Sequence, residues 1–342
     1  MPSTSPQSAW LSLRTIQSAS VLLLTIALCV VSALGSRTFL NWDNLVTSLL
    51  TDACCPGIIA CGMTLVMIAG GFDLSVASAT ATCSVVAVLL LRAFAASGVW
   101  VAIPFALLLT AAAGAVLGMA NGALVSYVGV NPFVVTLSTL FVFRGIALII
   151  TGGGHTYQVP LEAKPAFRQL YWGQVPLFGS SAHAIPVPIL VFAGVFLACF
   201  YLLRFTRFGH YVYAVGGNEN AAWLAGINTR LVKAATYAIS GLTCAVAALI
   251  YCGMSGTAQA TSYQGLEMVV IASVIVGGTP LGGGRGSLLC TLNGLLLLAV
   301  IENLLTQFGV SEEYRNVVRG MIILIVVAVD VLVRRGQGKQ RS

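Results

Sequence analysis

The chain has 342 residues, of which 58% are hydrophobic and only 8% charged, with a net charge of +7 and a mean hydropathy of +0.95. A soluble globular domain carries about 25% charged residues, so this composition excludes a water-soluble fold and predicts one polytopic, all-α membrane domain. The excess of positive charge reads as the positive-inside bias of a membrane protein. No basic cluster is interleaved with aromatic residues on a polar face, so nucleic acid is not an expected partner.

A helix needs about 20 apolar residues to cross a bilayer, which leaves room for about ten spans. They are predicted near 19–35, 45–69, 74–95, 99–120, 131–151, 185–204, 231–252, 267–282, 287–306 and 314–333. Residues 1–18 form a polar tail with Arg14. The first apolar run is long for a signal peptide and is not closed by a clear A-x-A site, so it is read as a retained span. The second span carries Asp52, and "AGGFDLS" separates it from the third. Asp73 in that break can cap a helix beginning at Leu74, the alternative being contact with a substrate. In the fourth span Gly114, Gly118 and Gly122 are spaced by four, which allows close helix packing. Asn121-Gly122 there and Asn293-Gly294 in the ninth span hint at related halves, though two residues do not prove a repeat.

The fifth span holds Arg144 in "LFVFRGIALII". Charges in spans face the interior or a water-filled cavity, so Arg144 either joins an internal ion pair or hydrogen-bonds a hydroxylated substrate. A "TGGGHT" break then opens a long loop, 152–184, with His155, Tyr157, Tyr171 and Trp172. It is either a docking surface for an external partner or a solvated cap. Between the sixth and seventh spans lies a polar segment, 205–230, containing "GGNENAAWLAGIN". Before the ninth span comes "GGTPLGGGRGS", with Gly277, Gly278, Gly283 and Arg285. Irregular backbone at membrane depth survives only when buried in protein or lining a cavity, so this break is either a gating element or a tight turn. Glu302 and Arg319 are two further candidate charges in spans, and residues 334–342 form a basic tail.

An even number of spans places both termini on one side. That side holds Arg14, Arg204, Arg207, Arg230, Lys233, Arg285, Arg334, Arg335, Lys339 and Arg341, against Arg37, Arg92, Lys164, Arg168 and Arg315 on the other. The richer side is expected to be the cytoplasm, which puts 152–184 outside and 205–230 inside. The nine cysteines all sit in apolar runs and none forms a CxxC pair beside histidines. They read as small packing residues, with no disulfide framework and no metal site expected. No phosphate-binding G-x-x-x-x-G-K-[ST] loop occurs, the nearest stretch having Arg285 where lysine is needed. No His/Cys/Glu cluster or serine elbow is present either. The chain is therefore not expected to act as an enzyme or to bind a cofactor.

Five stretches, "MTLVMIAGGFDLSVAS" (63–78), "NGALVSYVGVNPFVVTLSTLFVFRGIALIITGG" (121–153), "GHYVYAVGGNENAAWLAGINTRLVKAATYAISGL" (209–242), "VVIASVIVGGTPLGGGRGSLLCTLNG" (269–294) and "FGVSEEYRNVVRGMIILIVVAVD" (308–330), resemble the ribose-type sugar permeases of bacterial ABC importers. Several dispersed motifs stand in the family's order from about residue 40 onward. Phe72, Ala77, Trp223, Pro280 and Gly282 depart from its usual pattern. The resemblance implies a multi-pass permease subunit of the bacterial inner membrane, present as two copies or as a pair with a paralogue. It also implies a cytoplasmic ABC ATPase, which would bind ATP and magnesium, and a periplasmic sugar-binding protein. On this reading Gly217, Asn218, Glu219, Ala221, Ala222, Gly226, Ile227 and Asn228 form a coupling helix that docks on the ATPase. A short helix can pass a rigid-body motion to the spans that it joins. Glu219 near its start suits the helix dipole, and Gly226 can end it. Asp73, Asn121, Asn131, Phe133, Thr136 and Arg144 are the expected sugar path, with Phe133 stacking on a sugar face.

Two rivals stand beside the sugar importer. A branched-chain amino-acid permease of the same superfamily should require charged groups for an α-carboxylate and an ammonium. An ion-coupled secondary transporter would use Asp52, Asp73 or Glu302 as raised-pKa carboxylates and would need no ATPase.

Overall fold

A computed structural model describes residues 6–36, 38–177, 180–322 and 324, with the backbone alone for 6–20, 177 and 180–183. The helices are α1 (Pro6–Gly35), α2 (Asp43–Ile68), α3 (Val76–Ala93), α4 (Val99–Val128), α5 (Pro132–Ile150), α6 (Lys164–Trp172), α7 (Val187–Phe205), α8 (Arg207–Gly217), α9 (Glu219–Leu224), α10 (Thr229–Ser255), α11 (Leu266–Val276), α12 (Leu288–Gln307) and α13 (312–322). Among the described residues seven are long and apolar enough to cross a membrane: α2, α3, α4, α5, α7, α10 and α12. Residues 1–5, Arg37, the rest of the span expected to reach 333, and Arg334, Arg335, Lys339 and Arg341 lie outside the described residues.

Several expectations are corrected. The span expected over 267–282 is the 11-residue α11, which stops at Val276. Gly277 and Gly278 follow, the latter at φ 103°, and the chain runs irregularly to Ser287. The Ser287 hydroxyl then accepts from Cys290 N at 3.2 Å and starts α12. Helix α3 begins at Val76, not at Leu74. The bundle is also not purely helical. In the 152–184 region β1 (Tyr157–Gln158) pairs antiparallel with β4 (Thr257–Ala258), and β2 (Gln174–Leu177) pairs with β3 (Ser180–Pro186). A long excursion between spans must satisfy its own backbone groups, and these ladders, with α6, do so. Trp42 Nε1 donates to Ala184 O at 3.3 Å, and the Arg92 guanidinium sits 4.9 Å from the Tyr157 ring centroid, tying the excursion to the ends of α2 and α3.

Helices α2, α3 and α10 form the centre. Ile58, Ile59, Met63, Met67, Val85, Leu91, Leu249 and Ile250 make one continuous buried core between them. The α8–α9 segment lies at one end of the bundle and the 152–184 excursion at the other. The glycine stripe of α4 fulfils the packing expectation. A Cβ on Gly114 would sit 2.7 Å from Ala245 Cβ, one on Gly118 3.0 Å from Gly241 N, and one on Gly122 2.7 Å from Ala234 Cα. Backbone therefore rests on backbone along the α4–α10 seam, as small residues permit.

Replacing Gly118 by leucine should separate that seam. Overpacking of this kind costs about 1–3 kcal/mol, so the purified variant should melt several degrees lower than the unsubstituted chain. An unchanged melting temperature would contradict the seam.

Candidate functional site

The coupling end is built by local capping. The Asn218 side chain accepts from Ala221 N at 3.0 Å and starts α9, a helix of six residues. Gly226 N donates to Trp223 O at 2.9 Å and Ile227 N to Ala222 O at 3.1 Å, with Gly226 at φ 83°. These two bonds define a Schellman stop, in which the left-handed residue is almost always glycine. Asn228 then caps α10 by accepting from Leu231 N at 3.0 Å. Glu219 braces α9 against α10 through an ion pair with Lys233 at 2.5 Å. Ala222 faces inward with Ile227, while Trp223 and Leu224 are 66% and 77% exposed. A short, rigidly framed helix thus presents two large apolar side chains outward. Gly217, placed in this helix by sequence, instead ends α8.

A cavity of ≈ 1040 Å³ lies beside this segment. Its walls include Glu219, Trp223, Arg230 and Lys233 on one side and Ser126, Tyr127, Asn131 and Pro132 on the other. Asn131 also caps α5, accepting from Phe133 N at 2.9 Å. The exposed Phe133 ring lies 6.5 Å from that of Phe72. The wall residues Ser126 and Tyr127 come from the end of α4, which is wound as a π-helix over Leu124–Val128. Such local π-turns often mark functional positions.

Above this cavity three glycine segments cross. Gly284 N donates to Ile68 O at 2.7 Å. A Cβ on Gly283 would lie 2.6 Å from Gly70 Cα, and one on Gly284 2.6 Å from Gly217 Cα. Gly283 and Gly284 both have positive φ, 72° and 70°. Tyr213 of α8 donates to Gly286 O at 2.8 Å. The break that carries Gly283 and Arg285 is thus wedged between the end of α2 and the end of α8. Gly277 belongs to a different contact, where α11 meets α12 at Cys290 and Gly294.

Next to the crossing is a buried polar cluster. Asp73 accepts from Ser75 N at 2.9 Å, Ser75 Oγ at 2.6 Å and Ser240 Oγ at 3.3 Å. Asn121 Nδ2 donates to Ser75 Oγ at 2.8 Å. Tyr237 donates to Phe72 O at 3.0 Å and accepts from Phe72 N at 3.1 Å. Asp73 and Asn121 therefore meet through Ser75, in a frame joining α3, α4 and α10 in which Asn121 Oδ1 has no partner among the described residues. Thr136 is fully buried and donates to Pro132 O at 2.9 Å within its own helix. Arg144 forms no ion pair among the described residues. Its Nη1 donates to Ala260 O and, at 2.7 Å, to Ser262 O, holding the connection between α10 and α11. The six expected path residues do not share one cavity.

A second cavity, ≈ 580 Å³, opens at the end opposite the coupling segment, between α2, α11, α12 and α13. Asp52, Glu302 and Arg319, singled out in sequence as costly charges, all line it. Glu302 pairs with Arg319 at 3.0 Å and Arg315 at 3.4 Å. Asn44 and Asn303 exchange side-chain hydrogen bonds at 3.0 and 3.2 Å. Sequence reading missed Tyr263, Gln264 and the asparagine pair. The one available signal was a polar Asn–Glu–Asn grouping spread over two apolar runs.

The family model described as "Branched-chain amino acid transport system / permease component" matches residues 45–327. The ribose import permease protein of Escherichia coli (strain K12) is 35% identical over 322 residues, 94% of each chain. That of Bacillus subtilis (strain 168) is 38% identical over 304 residues, 89% of each chain. The D-allose transport system permease protein of Escherichia coli (strain K12) is 31% identical over 315 residues, 92% of this chain and 91% of that one. No solved structure matches the chain.

The buried frame makes its own prediction. Asp73→Ala leaves the Ser75 and Ser240 donors without their acceptor, and an unmet buried donor costs about 1–3 kcal/mol. The variant should therefore lose thermal stability in detergent. If it melts like the unsubstituted chain, Asp73 is not a structural acceptor.

Proposed function

The chain belongs to the ribose-type sugar permease family of ABC importers, and from that membership we propose how it serves transport: it forms the path by which a monosaccharide, ribose or a related sugar, crosses the membrane. It is an inner-membrane permease subunit. The observation that carries the sugar reading is the match, over 94% of both chains, to a relative named for ribose import. The sugar would be delivered by a periplasmic binding protein. ATP and magnesium would be held by a separate cytoplasmic ABC ATPase. A second permease copy or a paralogue would complete the transporter within the lipid bilayer.

In the proposed finer topology the shorter apolar α1 and α11, together with α13, stand with the seven long spans as a ten-pass bundle. The coupling end, with 205–230 and both termini, faces the cytoplasm, where the basic residues gather. The 152–184 excursion faces the binding protein. Helix α9 enters a groove on the ATPase through Trp223 and Leu224. Asn131 and Phe133 meet the sugar at the inner mouth, while Asp73, Asn121 and Thr136 frame the path and Arg144 holds its outer loop. Gly277, Gly278, Gly283 and Arg285 belong to the element that moves when the path opens.

Copurification tests this arrangement. The tagged chain should retain a co-expressed ATPase, and Gly226→Val, which forces a β-branched residue into a left-handed position, should lose it. Glu219→Lys, which puts two ammonium groups together, should weaken it. Retention by both variants, with ATP-driven uptake intact, would remove α9 from the docking role. Uptake of labelled pentoses and hexoses against leucine separates the sugar reading from that of the amino-acid branch.

A further inference from the structure

The cavity remote from the coupling segment holds features that neither the fold nor coupling to an ATPase requires. Tyr263 is the one non-glycine residue with positive φ among those described, at 67°. For a bulky residue this backbone is strained, and such strain persists only where the surroundings enforce it. Two restraints do so here. Arg144 donates to the carbonyls of Ala260 and Ser262, immediately before the strained residue. The Tyr263 ring packs on Tyr251 at 4.5 Å between centroids, tilted by 30°. The result is an aromatic pair fixed in the cavity wall, with the exposed Gln264 beside it.

Opposite the tyrosines stand the polar groups of α2. This helix begins as a π-helix, Asp43–Leu50, and Asn44, Ser48 and Asp52 line the cavity at four-residue spacing. The Asp52 carboxylate lies exposed in the cavity and accepts no hydrogen bond among the described residues. Two wall atoms that are shut off from solvent, Gln307 Oε1 and Arg315 Nε, also lack partners. Enclosed polar atoms without partners carry a desolvation cost that a bound hydroxyl or water relieves. Both arginines that line the cavity are already engaged with Glu302, so among the described residues no free cation lines it for an α-carboxylate. The cavity's ≈ 580 Å³ falls within the range of small-molecule sites, about 300–1,000 Å³.

We propose that this outer cavity is a binding site for a neutral polyhydroxylated ring, the place where the imported monosaccharide first rests on the membrane subunit. One face of the sugar meets the Tyr251–Tyr263 wall. Its hydroxyls donate to Asp52 and exchange hydrogen bonds with Gln264. Arg144 is a positioning residue, acting through the loop that it holds. The proposal rests on the sugar reading above and adds a site to it.

The test measures uptake of labelled pentoses and hexoses, D-ribose and D-allose among them, in cells expressing the full transporter at matched membrane levels of the chain. Gln264→Ala and Asp52→Asn should each lower uptake about tenfold, the loss expected for one buried hydrogen-bonding partner. Tyr263→Gly relieves the backbone strain but removes the ring. It should lose as much uptake while the purified chain melts no lower than the unsubstituted one. Uptake within about twofold of the unsubstituted chain in all three variants overturns the site and leaves the sugar reading standing. Lost uptake with a lowered melting temperature in Tyr263→Gly assigns the ring to packing and overturns its contact role. If the unsubstituted chain imports leucine and none of the sugars, the sugar reading falls, and the site falls with it.

Discussion

The contact on which the arrangement depends is the meeting of three backbones at Gly70, Gly216–Gly217 and Gly283–Gly284. A Cβ on Gly283 or Gly284 would lie within 3 Å of main-chain atoms of another segment, so no side chain can stand there without separating them. The Gly284 N–H, which no helix satisfies, is bonded to the last carbonyl of α2, Ile68 O. Main chain at membrane depth must find partners inside the protein, and this crossing supplies them for the irregular 277–287 break. It also ties the end of α8, one residue before the α9 cap, to the foot of α2. Packed interiors transmit displacement because they have no slack. A shift of α9 would therefore reach α2 and the break by contact alone.

Around the crossing, polar groups bond to one another, with Asn121 Oδ1 and Thr279 Oγ1 left over. Asp73 receives the Ser75 and Ser240 donors, and Tyr237 closes on the Phe72 main chain. A half-satisfied buried network is worse than an apolar core, whereas a satisfied one fixes geometry. The frame holds the start of α3 against α4 and α10 while the glycine stripe of α4 brings the two helices into backbone contact. The frame thus stands between the two cavities, and polar atoms with unmet capacity are found both in it, at Asn121 Oδ1, and at the cavity between α2 and α12.

Features governed by neighbours in the chain were legible in the sequence, and those governed by the fold were not. The coupling segment could be read because its caps, Asn218, Gly226 and Asn228, act within three to five residues of themselves. Seven of the spans could be read from apolar length, while Gly277 and Gly278 cut the eighth run after 11 residues of helix. The outer cavity was visible only as isolated costly charges. Asp52 and Glu302 lie some 250 positions apart in sequence, so nothing local links them, and the pair invited an ion-coupling interpretation. The left-handed Tyr263 and its restraint by Arg144 depend on carbonyls more than a hundred residues from the arginine. The same distance explains why Arg144 suggested an ion pair, although its partners are main-chain oxygens.

Helix α2 connects these levels. Its first half, from Asn44 to Pro56, walls the outer cavity. Its last carbonyl bonds the glycine break, and Gly70 just beyond it lines the inner cavity. It is also the most enclosed of the long helices, so it cannot move without moving what surrounds it. Its π-wound start stands at the outer cavity, and the π-wound end of α4 stands at the inner one. Local π-winding frequently stands at functional positions, and here it stands at both cavities, which α2 and the glycine crossing join by direct contact.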